Sequence, residues 1–477
     1  MALTLIIDVV VVAVLAFIAL TKGVEAALPF FVFVVTLVPG ESKIAIPGLF
    51  DLTTARLAII VLLGFYFVPG KGAQPADGQK QKLPLRLILA LMILWSLVSA
   101  ANSIVFTASL KYVLSALLDY LLVFYLFVKL VNSTEMVHKI LRGFIAGLLV
   151  CCVLGLPEMY TDWGVTSLFP AVTHTFTGIV DSPQGRLHST FPHSILFGDA
   201  LALGIPVALY LIALAKSAKQ RIWLWIAVLL MFWNVYKTVE RGPWLGVVIS
   251  LALLLLFSKA RIRKYILALC LLSYAVILIR PGVWKTIKDS YYETINPTSV
   301  RGGSYRYRYA LMNAALERLE AAGTGRMLWG FGQGSFGDLQ LRIWDDAMQE
   351  EVNVISCDSS FVSVMVQQGY VALLLVLALL LLPAATSLRA FTRLPKPSNL
   401  LSLIFLINIV TYAFLMGSVE CWDWGQQAYM IWIVFALAMI YPRLAREEQS
   451  SPSAIGVAET APWELVTASP SPRVPMR

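Results

Sequence analysis

The feature that most constrains this chain is the recurrence of long apolar runs almost free of charge. A helix that crosses a bilayer needs about 20 apolar residues. Runs of that kind fall near 3–20, 27–38, 53–68, 86–106, 110–129, 139–156, 195–215, 221–237, 243–258, 264–280, 361–385, 400–418 and 425–442. The short run at 27–38 reads either as a span or as a re-entrant segment. Backbone exposed to lipid must satisfy its own hydrogen bonds, which leaves helices or closed barrels. The expected fold class is therefore all-α: a polytopic transmembrane bundle of about 12 spanning helices, with a large extracytoplasmic loop that contains an amphipathic helix. Composition agrees. Only 14% of the 477 residues are charged, against about a quarter in soluble proteins. Mean hydropathy is +0.76.

The formal charge of +9 could suggest nucleic acid, but no basic stretch is interleaved with aromatics. The excess sits in short loops, as the positive-inside rule expects: Lys71–Arg86, Lys129–Arg142, Lys216–Arg221, Lys259–Lys264, Arg389–Lys396 and Arg443–Arg446. These fall on one side, which is then cytoplasmic. The stretches 157–194, 238–242 and 281–360 fall on the other. Four regions follow: 1–280, the N-terminal spans with the outer loop 157–194; 281–360, the large extracytoplasmic loop; 361–446, the C-terminal spans; and 447–477, a Ser/Pro-rich tail expected to be disordered and cytoplasmic. The first apolar run lacks a small-residue cleavage signal and reads as a retained helix.

Of the five cysteines, Cys151, Cys152 and Cys270 lie in apolar runs and read as buried small hydrophobes. Cys357 and Cys421 fall in outer loops and could pair in an oxidising compartment. No Cys/His set has metal-ligand spacing, so neither metal nor cofactor is expected.

The chemistry-bearing residues gather on the outer side. "VERGPWLG" puts Glu240 and Arg241 at the mouth of a spanning helix, where an ionisable pair is costly and suggests function; the alternative is a simple interfacial anchor. In the long loop, Ile295 to Leu316 contains no acid, while Arg301, Arg306 and Arg308 cluster in "RGGSYRYRY". Arginine forks match phosphate oxygens two at a time. The run is expected to form an amphipathic helix from an N-cap at Ser304 to a stop at Gly323. Helical spacing puts Arg308 with Met312, Ala315 and Leu319, toward the protein, and Arg306 on a more polar face. "LWGFGQGSFGD" contains Gly332, Gly334 and Gly337 in a dinucleotide-like spacing. It lacks the strand-then-helix context that motif needs, so it reads as a tight loop whose backbone closely approaches either a glycan or a neighbouring helix. Asp358 starts the next span, as an N-cap or as a catalytic carboxylate. In the earlier outer loop, Arg186, His188 and His193 precede a span, as surface residues or as a group able to move protons.

In order and spacing, these pieces resemble the O-antigen ligase and O-antigen polymerase superfamily of bacterial envelope glycosyltransferases, over roughly residues 180–385. "TVERGPWLG" is similar to the family's arginine before a Gly-x-Trp stretch, which maps onto Arg241. "RYALMNAAL" is similar to its loop motif, mapping onto Arg308. "LWGFGQGSF" resembles the Gly-rich turn, and "DSSFVSVMVQQGYVALL" resembles the segment ending in Glu-or-Gln-x-Gly. Ligases of the family usually open that last segment with His-Asn. Here Asp358 and Ser359 stand there, which tilts the expectation toward polymerisation.

The resemblance implies a metal-independent glycosyltransferase that moves a polyprenyl-diphosphate-linked glycan to a hydroxyl of another glycan or of lipid A core, at the outer face of the bacterial cytoplasmic membrane. The implied catalytic residues are Arg241, Arg308 and Asp358. Arg186, His193, Glu240, Arg306, Gly332 and Gly334 are expected to bind substrate. The implied partners are the lipid-linked donor, the acceptor and membrane lipids, with no nucleic acid. A flippase is the competing class, but its polar groups should line a path at the bilayer midplane, whereas these crowd one rim.

Overall fold

The computed structural model describes residues 2–40, 42–44, 46, 50–68, 83–161, 163–169, 186–295, 300–345, 350–354 and 356–450. Among them the expected apolar runs are helices. Eight are long and apolar enough to cross a membrane: Ala2–Lys22, Phe106–Leu130, Thr134–Glu158, Ser194–Leu214, Ala260–Ile279, Ser360–Arg393, Asn399–Met416 and Gly425–Ser450. Four shorter apolar segments, Val24–Leu37, Thr54–Phe67, Arg86–Ala101 and Arg241–Phe257, accompany them. With Ala218–Thr238 they form a helical bundle.

Polar caps mark where several helices begin. Thr53, Ser133 and Ser217 each accept a hydrogen bond from the backbone N–H three residues on, at Arg56, Met136 and Gln220, which satisfies a donor the helix leaves open. Burial then sorts the helices into layers. Ser194–Leu214 and Gly425–Ser450 are buried over most of their length and form the centre. Ala2–Lys22 and Ala260–Ile279 bury one narrow stripe each and expose leucines and isoleucines such as Ile6, Leu271 and Ile279. That is the surface a lipid-facing helix needs. The packed centre is aromatic: Trp432 is 1% exposed, and Tyr120 stacks on it with ring centroids 6.0 Å apart.

Small residues allow the close crossings. A Cβ on Gly198 would lie 2.6 Å from the Pro243 side chain, and one on Gly143 would lie 2.3 Å from the Pro29 carbonyl oxygen. Such contacts let neighbouring backbones approach where lipid supplies no hydrophobic drive between helices.

The large loop is more ordered than a sequence reading suggests. It holds helices Pro281–Ile295, Val300–Ala321 and Thr324–Trp329, then an antiparallel hairpin pairing Leu341–Asp345 with Glu350–Val354. Its own apolar cluster includes Leu311, Ala315, Leu319, Phe331, Phe336 and Ile343.

Several expectations need adjustment. The amphipathic helix starts at Val300, ahead of Ser304, and ends at Ala321, just before Gly323. Cys270 is exposed on a rim helix; Cys357 and Cys421 are both buried and both free, so no disulfide joins the outer loops. The last helix runs to Ser450, so residues 447–450 extend it. The remaining tail and the whole of residues 170–185 lie outside the described residues.

Candidate active site on the loop face

One end of the bundle carries the large loop, and the predicted site residues converge there. The corner between Ala218–Thr238 and Arg241–Phe257 is two residues long. Val239 takes a left-handed conformation (φ 54°) and Glu240 precedes the first helical residue, Arg241. A β-branched residue at positive φ is strained, and such strain collects where a local geometry is needed. Trp244 locks the corner by donating from Nε1 to the Val235 carbonyl at 2.8 Å.

The Glu240 carboxylate is only 12% exposed and is held by two groups from the preceding outer loop. Arg186 Nη1 donates to it at 3.0 Å and Ser194 Oγ at 2.8 Å. That loop is itself pinned from below: Glu158 accepts the backbone N–H groups of His188 and Ser189 at 2.8 and 2.9 Å. His193 caps the Ser194–Leu214 helix, its Nδ1 accepting from the Ile195 N–H at 3.1 Å. Packing around the ring holds its pKa below the ordinary histidine value, while Glu240 and Asp358 pull the other way and Arg186 adds to the fall. A neutral imidazole is the form an Nδ1 acceptor requires.

Arg308 and Asp358 meet directly. Arg308 Nε donates to Asp358 Oδ2 at 2.7 Å, both side chains about one-third exposed. Arg308 lies on the inward side of its helix, in line with buried Leu311, Ala315 and Leu319, whereas Arg306 is exposed. The helical spacing anticipates both placements. The side chain of Arg301 lies outside the described residues.

The turn Gly417–Trp424 joins the two halves. A Cβ on Gly242, next to Arg241, would lie 3.1 Å from Ser418 Oγ. On its other side the turn is bound to the start of the Ser360–Arg393 helix. Ser360 Oγ donates to the Val419 carbonyl at 2.9 Å and accepts from the Cys421 and Trp422 N–H groups at 2.8 and 3.2 Å. Arg241 and the Asp358–Arg308 pair therefore flank a single short turn.

The Gly-rich loop and the Gln-x-Gly segment explain each other. The long helix breaks at Gly369 (φ 81°, ψ 175°), a region open essentially only to glycine. The break frees carbonyls that must be satisfied inside a membrane protein. Phe331 N–H donates to the Val366 carbonyl at 3.0 Å, Gly332 N–H to that of Gln367 at 2.7 Å, and Trp95 Nε1 to that of Gln368 at 3.0 Å. A Cβ on Gly332 would fall 1.9 Å from Ser103 Oγ, and one on Gly334 2.4 Å from the Tyr112 ring. The close approach of both glycines is thus to protein, the helix Phe106–Ala116 and the turn that precedes it.

Sequence reasoning missed a set of buried polar groups beside this break. Ser363 Oγ donates to the Glu420 carboxyl, and Gln368 donates to Gln333 Oε1. Gln333 in turn donates to Asp423 Oδ2 at 2.5 Å. Burial, with Asp423 nearby, pushes the Glu420 carboxyl up to about 8; burial also raises that of Asp423. Two acids within the short stretch "VECWDW" between apolar runs were the available signal.

No curated protein matches the chain. Residues 226–377 match the family model described as O-antigen ligase, a stretch that begins in the helix before the Glu240–Arg241 corner and ends beyond the Gly369 break. Over this stretch the chain is similar to the O-antigen ligase family, which supports a membrane glycosyltransferase of the general O-antigen ligase/polymerase type, and its eight long apolar helices are those of a multi-pass membrane protein.

Proposed function

We propose that this protein transfers a glycan from a polyprenyl diphosphate to a hydroxyl of a growing glycan, at the outer face of the bacterial cytoplasmic membrane. The orientation rests on the positive-inside reading of the sequence, which puts the basic loops on the side opposite the large loop. The observation that carries the reaction is the Arg308–Asp358 pair at 2.7 Å, seated across the Gly417–Trp424 turn from Arg241.

In this reading Arg241 and Arg308 bind the diphosphate where its negative charge grows, the kind of preorganised stabilisation that contributes most to many reactions. Their guanidiniums take this role without a metal. The acceptor oxygen attacks the anomeric carbon, and its proton passes to Asp358. The bond from that carbon to the diphosphate oxygen breaks, and its electron pair leaves with the diphosphate. A single displacement inverts the sugar carbon. Asp358 also orients Arg308 through their shared hydrogen bond. Glu240 fixes the corner by holding Arg186 and Ser194, and His193 caps the adjoining helix. Arg186 and Arg306 border the entrance for the lipid-linked donor, while the Gly332–Gly334 turn, its N–H groups committed to Gln367, supports the Gly369 break.

Transfer to lipid A core is the second reading, favoured by the ligase description of the matching family model. Proteoliposomes supplied with a polyprenyl-diphosphate-linked repeat unit, with and without lipid A core, separate the two. A product ladder without lipid A core is expected. A single shifted band that needs lipid A core would establish the ligase reading instead. Arg241→Ala and Arg308→Ala are each expected to abolish transfer at unchanged membrane abundance, and wild-type rates in either would remove that arginine from the mechanism.

A further inference from the structure

A second polar site lies on the loop face, away from the two arginines. A cavity of about 260 Å³ opens between Thr54–Phe67, Phe106–Leu130 and the start of Gly425–Ser450. Its wall contains a buried ion pair between residues far apart in the sequence. Arg56 Nε lies 2.9 and 3.1 Å from the two Asp119 oxygens, and Nη2 lies 2.6 Å from Oδ2. Tyr429 donates to Asp119 Oδ1 at 2.6 Å. The side chains of Arg56 and Asp119 are 13% and 8% exposed. A buried pair of this kind is weak support for stability, and ionisable groups in spanning helices mark function by default. The helix supplying Asp119 and Tyr120 widens into a π-turn over Leu117–Leu121, a distortion frequent at functional sites.

The lining chemistry selects a ligand class. Lys43 is paired to Asp51 at 2.6 Å, and Arg56 to Asp119. Adding Asp423, the wall carries two cations against three acids, so a diphosphate finds no net positive charge. A sugar fits this wall, because each hydroxyl both donates and accepts. The Tyr112, Tyr120 and Tyr429 side chains supply apolar faces. The volume suits roughly one sugar ring or two.

The cavity is also wired to the reaction site. Gln333 and Asp423 form its inner wall, and the Asp423 carboxylate acts on Glu420. Glu420 hydrogen-bonds the backbone of Cys357, the residue before Asp358.

We propose that this cavity is a saccharide-binding site that holds sugar residues of the glycan substrate next to the transfer centre. The assignment to the substrate glycan rests on the proposed transferase reading; the binding of saccharide does not.

The test uses the full-length protein in detergent and the repeat-unit oligosaccharide released by mild acid from the host's own envelope polysaccharide. Saturation-transfer NMR reads binding without any need for turnover. Binding is expected in wild type and in Arg241→Ala, and at least tenfold weaker in Ser115→Trp, whose indole fills the cavity. The double variant Lys43→Ala/Asp51→Ala, altered only at the rim, should weaken binding severalfold should the tryptophan variant fail to stay monodisperse. Unchanged binding in a monodisperse Ser115→Trp, or in the rim variant, overturns the site. Absence of binding to wild type also overturns it, even where transfer proceeds. Binding without any transfer upholds the site and defeats the transferase reading. In proteoliposomes, a raised KM for acceptor alone assigns the seat to the acceptor glycan, and a raised KM for donor alone assigns it to the donor's sugars. No change in either KM with Ser115→Trp overturns the proposal.

Discussion

Replacing Asp358 by asparagine separates the two roles its carboxylate is given. The substitution keeps the shape and an oxygen able to accept from Arg308 Nε, but it removes the charge and the proton acceptor. Both partners are about one-third exposed, and at that exposure an ion pair contributes at most about 1 kcal/mol. Loss of orientation alone then costs a factor of about 5. Loss of a positioned general base costs about 10²–10⁴ in rate, or about 2.7–5.4 kcal/mol of barrier. The assay is single-turnover transfer in proteoliposomes at saturating donor, normalised to folded protein. A fall of at least 100-fold is expected, with donor binding within a few-fold of wild type. A fall of tenfold or less would refute the base assignment and leave Asp358 as a positioning residue for Arg308. Arg308→Lys is the companion variant. It keeps the charge but loses the planar fork, so it should weaken donor binding and rate together.

Other expectations follow from the same geometry. Gly369→Ala places a Cβ 1.8 Å from the Leu328 carbonyl oxygen in a glycine-only conformation; strain and overpacking together should cost about 2–6 kcal/mol, read as a lowered melting temperature in detergent. The raised Glu420 pKa means that the folded protein holds a proton which the unfolded chain has released. Stability should therefore fall as pH rises from the ordinary carboxyl value of 4.5 through about 8. Glu420→Gln should flatten that segment of a melting-temperature profile, and an unchanged slope would mean that another group titrates. Arg186→Met leaves the Glu240 carboxylate, 12% exposed, with one charged donor fewer; the 30% exposure of Arg186 cuts the usual cost of breaking a buried pair to about 1–2 kcal/mol. Differential scanning fluorimetry would detect that loss, and the transfer rate should fall with it as the Arg241 corner loosens.

The sequence by itself determined the all-helical bundle, because a bilayer accepts few kinds of backbone and demands runs of a set length. It also placed the arginines correctly on their helix: a period of 3.6 aligns Arg308 with Ala315 and Leu319, so its inward face was legible before any contact was known. Local signals extended no further. The Gly332–Gly334 turn left open whether a glycan or a helix came close, since a turn's own residues do not show what they pack against. Only tertiary structure set that turn against the Gly369 break, where freed carbonyls require N–H donors. Only tertiary structure paired Arg308 with Asp358, and Arg56 with Asp119 across 63 positions. Charges so far apart in the chain become one site through packing, and the energy of burying them depends on partners that no local window contains.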